Sequence, residues 1–176
     1  MRKISAYEIA LSGLSAALST VLLVIGTITP VLLFTAYLVS CVALMLPLSR
    51  GAYLGFVFAF FTAGILSLLF VGAGFVFELL PFLIFFGLHP LVNELQIQKG
   101  WKKWWAFAGK SLWFDGAMYL TWRFTFEMTT VINLPEPAVI ALLITLGTGF
   151  FYFYDYTMFK CRAQVNALVS RLLRKK

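Results

Sequence analysis

The chain has few charged residues and very few of the residues from which metal or catalytic centres are built. Charged residues make up 12% of its 176 positions, and there are only two cysteines and one histidine. Cys41 and Cys161 lack a C-x-x-C partner and cannot complete a metal set with His89. We therefore expect no disulfide framework and no metal site, and we interpret both cysteines as small helix residues.

The common signatures of enzymes are also missing. There is no H-E-x-x-H, no G-x-S-x-G, no glycine-rich phosphate loop and no aspartate cluster of the kind that binds magnesium and lipid diphosphates. No basic run is interleaved with aromatic residues in a way that suggests base stacking. We therefore expect neither an enzyme nor a cofactor, and no nucleic acid as a partner.

Apolar residues, in contrast, are abundant along the whole chain. Hydrophobic residues make up 61% of it, and the mean hydropathy is +0.91. A soluble domain is about half apolar and a quarter charged, so this composition predicts an integral membrane protein with one domain, residues 1–176. A membrane helix needs about 20 mostly apolar residues. The expected fold is an all-α polytopic membrane protein whose six transmembrane helices are 7–28, 30–48, 52–71, 75–92, 105–128 and 138–158.

The basic residues indicate how these helices are oriented. Of the fourteen Lys and Arg, all but Arg123 fall at the termini, at the second-to-third and fourth-to-fifth connections, or at the adjoining helix ends. The opposite connections, near Thr29, Gly72 and Asn133, contain none. Because cytoplasmic loops are enriched in Lys and Arg, this pattern predicts a multi-pass protein of the cell membrane with both termini in the cytoplasm.

The predicted cytoplasmic side has two further features. Trp101, Trp104 and Trp105, beside basic residues, are typical of an aromatic belt at the membrane interface. Residues 160–176 form a basic tail in which apolar positions recur at helical spacing opposite cationic ones. The apolar set is Val165, Leu168, Val169, Leu172 and Leu173, and the cationic set is Arg171, Arg174 and Lys175. This pattern predicts an amphipathic helix that lies on anionic lipid or on a partner.

The fifth predicted helix carries charges within an apolar, aromatic stretch. Its residues Asp115, Tyr119, Arg123 and Glu127 are spaced by four and share one helix face, with Trp122 beside them. Glu78 enters the fourth helix at a similar predicted depth. Intramembrane charges are costly and usually face the interior, where they pair or line a functional site.

Two interpretations of these charges remain open. In one, Arg123 pairs with Glu127 and, across a helix interface, with Glu78. In the other, the outer halves of the fourth and fifth helices line a polar pocket that binds substrate. The expected substrate-binding residues are Glu78, Asp115, Tyr119, Trp122, Arg123 and Glu127.

Two other polar residues have simpler expected roles. His89, followed by Pro90, is interpreted as a hydrogen-bonding group at a helix end. Asp155 is expected to pair with Lys160 or Arg162 near the cytoplasmic interface.

The first predicted helix has small residues four positions apart. Ala6 and Ala10 form one such pair, and Gly13 and Ala17 form another. This spacing lets a second helix approach closely. Together with L-P-L-S-R-G-A-Y-L-G at 46–55, the six helices and their orientation, it resembles the substrate-binding S component of an energy-coupling factor (ECF) vitamin transporter.

The resemblance implies a division of labour between subunits. The S component captures a vitamin or other small nutrient from outside, while a membrane scaffold subunit and two cytoplasmic ATPases supply the energy. It implies that Ala6, Ala10, Gly13 and Ala17 dock on the scaffold. The connection at 26–30 is shorter than a gating loop would be, and no signature of a particular substrate is present.

Two other functions compete with this one. The chain could instead be a non-transport assembly or regulatory subunit that binds another membrane protein. A third alternative is a lipid-active enzyme that uses Asp115 or His89 as a base.

Overall fold

The computed structural model describes residues 5–126 and 135–174, and throughout these ranges the regular secondary structure is helical. The helices are α1 Ala6–Ile28, α2 Pro30–Leu48, α3 Tyr53–Val71, α4 Val76–Pro81, α5 His89–Lys99, α6 Lys103–Thr121, α7 Glu136–Leu142 and α8 Thr148–Arg174. A 3-10 turn, Ala73–Phe75, precedes α4. Three π-helical segments extend these helices, at Phe82–Phe86, Trp122–Phe126 and Leu143–Gly147. The expected all-α fold is therefore confirmed.

Within residues 5–126 and 135–174, five stretches are long and apolar enough to cross a membrane. They are Ala6–Ile28, Pro30–Leu48, Tyr53–Val71, Ala73–Lys99 and Glu136–Leu172. The chain is therefore a multi-pass membrane protein, as its composition predicts. The remaining long helical segment, α6, is less apolar because it carries Lys103, Lys110 and Asp115. Hydropathy alone thus supports five crossings, one fewer than the six expected.

Consecutive long helical segments run antiparallel, so the bundle has two ends. The basic end carries Ser5, Arg174 and the connections at 49–52 and 100–102. The acidic end carries Thr29, Gly72 and the ends of the helices at Phe126 and Glu136. We name this end for three acidic residues: Asp115, and Glu78 and Glu136, which lie closer to the end than Asp115 does.

Two helix boundaries differ from those predicted by more than two residues. The fourth predicted helix was expected to end at residue 92, but its last part, α5, continues to Lys99. Gly100 caps this helix with a φ of 63°, a conformation that favours glycine. The last helix was expected to end at residue 158, but α8 continues to Arg174. No glycine or proline follows Gly149, so nothing in the sequence interrupts the helix.

The basic tail is therefore a continuation of α8. Its apolar residues do not all face one way: Val165 and Val169 are buried in the hydrophobic core, whereas Leu168 and Leu172 are more than half exposed. One side of the tail thus packs on the protein, and another side is open to lipid or to a partner.

Helices α1 and α2 form the closest helix pair. The Ser15 hydroxyl donates to the Ala43 carbonyl oxygen at 2.9 Å, and Ser19 donates to the Ser40 carbonyl oxygen at 3.4 Å. Only Thr29 separates the two helices, so the expected short connection is confirmed. Near this connection a Cβ on Gly26 would lie 2.5 Å from the Ala36 Cβ, which requires glycine there.

An aromatic core joins the first half of the chain to the second. Phe85 lies at its centre, fully buried, with ring-centroid distances of 4.8 to 6.0 Å to six neighbours. These neighbours are Phe86, His89, Trp113, Phe114, Phe151 and Tyr154. They come from α5, α6, α8 and the first π segment, so this core fixes the relative positions of the helices that carry the site described next.

We expect Gly26→Ala to destabilise the protein and Gly13→Ala to leave it as stable as the wild type. Both glycines lie within α1, but a Cβ at Gly13 meets nothing within 4 Å, whereas at Gly26 it meets Ala36 and the Leu33 backbone. Overpacking of this kind costs about 1–3 kcal/mol. Thermal unfolding in detergent micelles measures the difference, and equal melting temperatures for the two variants would contradict this packing.

Candidate functional site

All three described π segments lie after α4 in the chain. A π turn inserts an extra residue into a helix, and such insertions are frequent at functional sites. The first π segment follows Pro81, which lacks the N–H needed for a helical hydrogen bond. The other two, Trp122–Phe126 and Leu143–Gly147, border the same cavity.

This acidic-end cavity has a volume of about 470 Å³ and lies between α6 and the α7–α8 segment. It is lined by Phe114, Met118, Thr121, Trp122, Val139, Leu142, Leu143, Leu146, Gly147 and Phe150. Small-molecule sites are typically cavities of about 300–1,000 Å³ with apolar and aromatic walls and a few placed polar groups. The size and lining of this cavity fit that description.

Asp115 lies beside the cavity. Its Oδ2 accepts a hydrogen bond of 3.0 Å from the Thr148 hydroxyl, but its Oδ1 is buried and has no hydrogen-bond partner among the described residues. Gly147, which lines the cavity, faces this oxygen: a Cβ on Gly147 would lie 3.2 Å from Oδ1. Asp115 thus has one oxygen held by α8 and one oxygen available to a hydrogen-bond donor.

Tyr119 and Trp122 are close to each other, as their predicted roles require. Their ring centroids are 5.9 Å apart, and Trp122 is part of the cavity lining. The Tyr119 hydroxyl donates to Glu136 Oε1 at 2.5 Å and so ties α6 to α7. Glu136 has no role predicted from the sequence, because it directly follows Pro135 in a stretch whose composition is typical of a connection.

Glu78 and Arg123 do not form the ion pair considered in one of the two sequence interpretations. No ion pair joins Glu78 to Arg123 within residues 5–126, and Arg123 is exposed. The Tyr37 hydroxyl donates to the Glu78 main-chain oxygen, while Glu78 Oε2 is buried without a partner among the described residues. Glu127, the other expected partner of Arg123, lies outside the described residues.

A buried charge cluster, which we name the Lys110 cluster, lies nearer the basic end. It consists of His89, Asn93, Lys110 and Asp155. Lys110 Nζ donates to Asp155 Oδ1 at 2.6 Å and to Asn93 Oδ1 at 2.8 Å, and His89 Nε2 is 3.0 Å from the same Asp155 oxygen. The His89 side chain is 0% exposed and that of Lys110 is 4% exposed. These contacts join α5, α6 and α8.

The Lys110 cluster corrects two expectations. Asp155 does not pair with Lys160 or Arg162 but with Lys110 and His89. Arg162 instead pairs with Glu94 at 2.6 Å, and Lys160 lies over the Tyr156 ring. Lys110, expected near the interface with the other lysines, is buried. His89 is the first residue of α5 and makes a hydrogen bond with Asp155, in agreement with its interpretation as a hydrogen-bonding group at a helix end.

The predicted docking residues of α1 share an open face. Ala6, Ala10, Gly13 and Ala17 are all exposed, while Ser12 and Ala16 of the same helix turn towards α3. Gly13 also lines a groove of about 550 Å³ between α1 and α3. At its floor, Gly55 approaches so closely that a Cβ there would meet the Ser12 hydroxyl. The helix therefore presents small residues to its surroundings, as close contact with another helix requires.

No family model, curated protein or solved structure matches the chain. The geometry of the cavity, the Lys110 cluster and the α1 face is therefore the basis for assigning a function.

We expect Lys110→Met to destabilise the protein strongly, because it leaves the Asp155 carboxylate buried without its cation. Loss of one partner of a buried ion pair costs about 3–5 kcal/mol. The control is Lys160→Met, in which an exposed lysine over the Tyr156 ring is removed at a cost of about 1 kcal/mol or less.

Unfolding of the purified variants in detergent measures both effects. The double variant Lys110→Met/Asp155→Asn should be more stable than Lys110→Met alone, since no charge remains unpaired. If Lys110→Met and Lys160→Met unfold at the same temperature, the Lys110 cluster does not stabilise the bundle.

Proposed function

We propose that this chain is the membrane-embedded, substrate-binding subunit of an ECF-type importer, which captures a vitamin or another small nutrient outside the cell. In this proposal α6 also crosses the membrane, giving six spans with both termini in the cytoplasm. The concentration of Lys and Arg at the basic end supports this orientation. The charges of α6 are compatible with a crossing, since Lys110 and Asp115 face polar partners on α8.

The observation that carries the proposal is the acidic-end cavity with its adjoining Asp115 oxygen. In the proposed orientation this cavity lies in the outer half of the membrane, where a nutrient from outside would arrive. Its apolar and aromatic lining would contact one side of a small ligand, and Asp115 would supply a specific polar contact. Trp122 lines the cavity, and Tyr119, whose ring is 5.9 Å from that of Trp122, would lie next to the bound ligand.

The open face of α1 supports a second element of the proposal, the association with partners. The chain has no nucleotide-binding motif, so energy for uptake would come from a scaffold subunit and two cytoplasmic ATPases. Ala6, Ala10, Gly13 and Ala17 would meet the scaffold, and their small side chains would let the two helices approach closely. The exposed side of the α8 tail, with Arg171 and Leu168, would rest on anionic lipid.

We expect the double variant Gly13→Leu/Ala17→Leu to lose its association with the scaffold and ATPases, since two added side chains hold the helices apart. The measurement is affinity purification of the tagged chain from its native membranes in mild detergent, followed by quantitative mass spectrometry of co-purified proteins. The wild type should retain the scaffold and two ATPases, and the double variant should retain at least tenfold less.

The matched control is Gly109→Leu, because Gly109 is also an exposed helical glycine, and a Cβ added to it would meet nothing within 4 Å. This variant should retain the partners. Equal recovery with the double variant would overturn docking through α1. Recovery of an unrelated membrane protein instead of ATPases would overturn the importer and favour the assembly or regulatory role.

A further inference from the structure

The charges around the acidic-end cavity are unbalanced. From the level of Asp115 to the acidic end, the described part of the chain carries Glu78, Asp115 and Glu136 but only one basic residue, Arg123. Two of these carboxylates, Glu78 and Asp115, have a buried oxygen without a hydrogen-bond partner among the described residues. The region around the cavity therefore favours a positive ligand over a negative one.

Asp115 is the carboxylate best placed to meet such a ligand. Thr148 fixes its Oδ2 at 3.0 Å and so orients the carboxylate, while Oδ1 faces Gly147 at the cavity wall. The position that a Cβ on Gly147 would take lies 3.7 Å from side-chain atoms of Leu143 and Phe114, two other residues of the cavity lining. A Cβ there would lie 3.2 Å from the oxygen.

The cavity walls indicate the rest of the ligand. Phe114, Trp122 and Phe150 supply aromatic surface, and the remaining lining is almost entirely aliphatic. Aromatic faces attract both flat apolar rings and cations. A strongly polar or polyanionic molecule would lose its hydration here without finding hydrogen-bond partners.

We propose that the acidic-end cavity binds a small aromatic molecule that carries a cationic nitrogen, with the ring against Trp122 and the nitrogen directed to Asp115. If the chain is the proposed importer, this molecule represents its substrate class. The inference rests on the proposed function only because it takes the cavity as the substrate site.

The test uses three probes with the same ring and different charges: 2-naphthylmethylamine, which is cationic at neutral pH, 2-naphthylmethanol and 2-naphthoate. Isothermal titration of each probe into the purified full chain in lipid nanodiscs measures affinity. We expect the amine to bind at least about tenfold more tightly than the alcohol, as a hydrogen bond to a charged group allows, and the carboxylate to bind most weakly. Equal affinities, tighter binding of the carboxylate, or no binding of the amine would overturn the proposal.

Variants then locate the contact. Asp115→Asn should remove the preference for the amine over the alcohol, whereas Glu94→Gln, which alters a carboxylate that pairs with Arg162 near the basic end, should keep it. The reverse result would overturn the assignment to Asp115. Gly147→Ala keeps the acid and adds a methyl group near Oδ1, so it should weaken the amine selectively, even if Asp115→Asn does not fold.

The outcome is separable from that of the partner experiment. A chain that binds the amine but co-purifies with no ATPases would overturn the importer and leave this inference standing. A chain that retains the ATPases but prefers the carboxylate probe would overturn this inference and leave the importer standing.

Discussion

A polar group inside a membrane protein has to be satisfied by the protein itself, because hydrocarbon offers no hydrogen bonds. This constraint governs the second half of the bundle. Lys110 lies within α6, and the contact between its ammonium group and Asp155 holds α6 against α8 at a fixed register. Asn93 and His89 bring α5 into the same network. Once this register is set, two further residues of α6 meet the α7–α8 segment: Asp115 contacts Thr148 of α8, and Tyr119 contacts Glu136 of α7.

The bundle is consequently layered along its axis. The Lys110 cluster occupies the level nearer the basic end, and its charges are paired. The aromatic core around Phe85 follows and contains closely packed rings. Beyond it lies the acidic-end cavity, where Asp115 keeps an oxygen without a partner among the described residues. The paired charges stabilise the fold, whereas the Asp115 carboxylate, next to the cavity lining residue Gly147, has an oxygen that no described residue bonds.

Much of the fold follows from the sequence, because apolar runs and turn residues act locally. Thr29 with Pro30, and Gly72, mark helix ends that agree with the predicted ones. Helix continuity through residues 93–99 and 159–174 was missed, since polar composition there suggested a connection and a separate tail. A helix continues where no residue breaks it. In both stretches the polar residues therefore extend the helix past its apolar, membrane-spanning part.

The pairing of the charges could not be predicted in the same way. Lys110 and Asp155 are 45 residues apart, and which helices are neighbours depends on packing that one sequence does not reveal. The placement of Asp115, Tyr119 and Trp122 together on one side of α6 was accessible from helical periodicity. Their partners Thr148 and Glu136 were not, because those contacts depend on the register between α6 and the α7–α8 segment.

The most direct test of the central claim, that the acidic-end cavity holds a small nutrient, is native mass spectrometry of the chain released from its own membranes. The wild type should carry a small molecule of defined mass that is lost when Trp122 is replaced by alanine and the cavity wall is removed. A protein free of any bound small molecule, or one that retains the same molecule equally with and without Trp122, would contradict the claim.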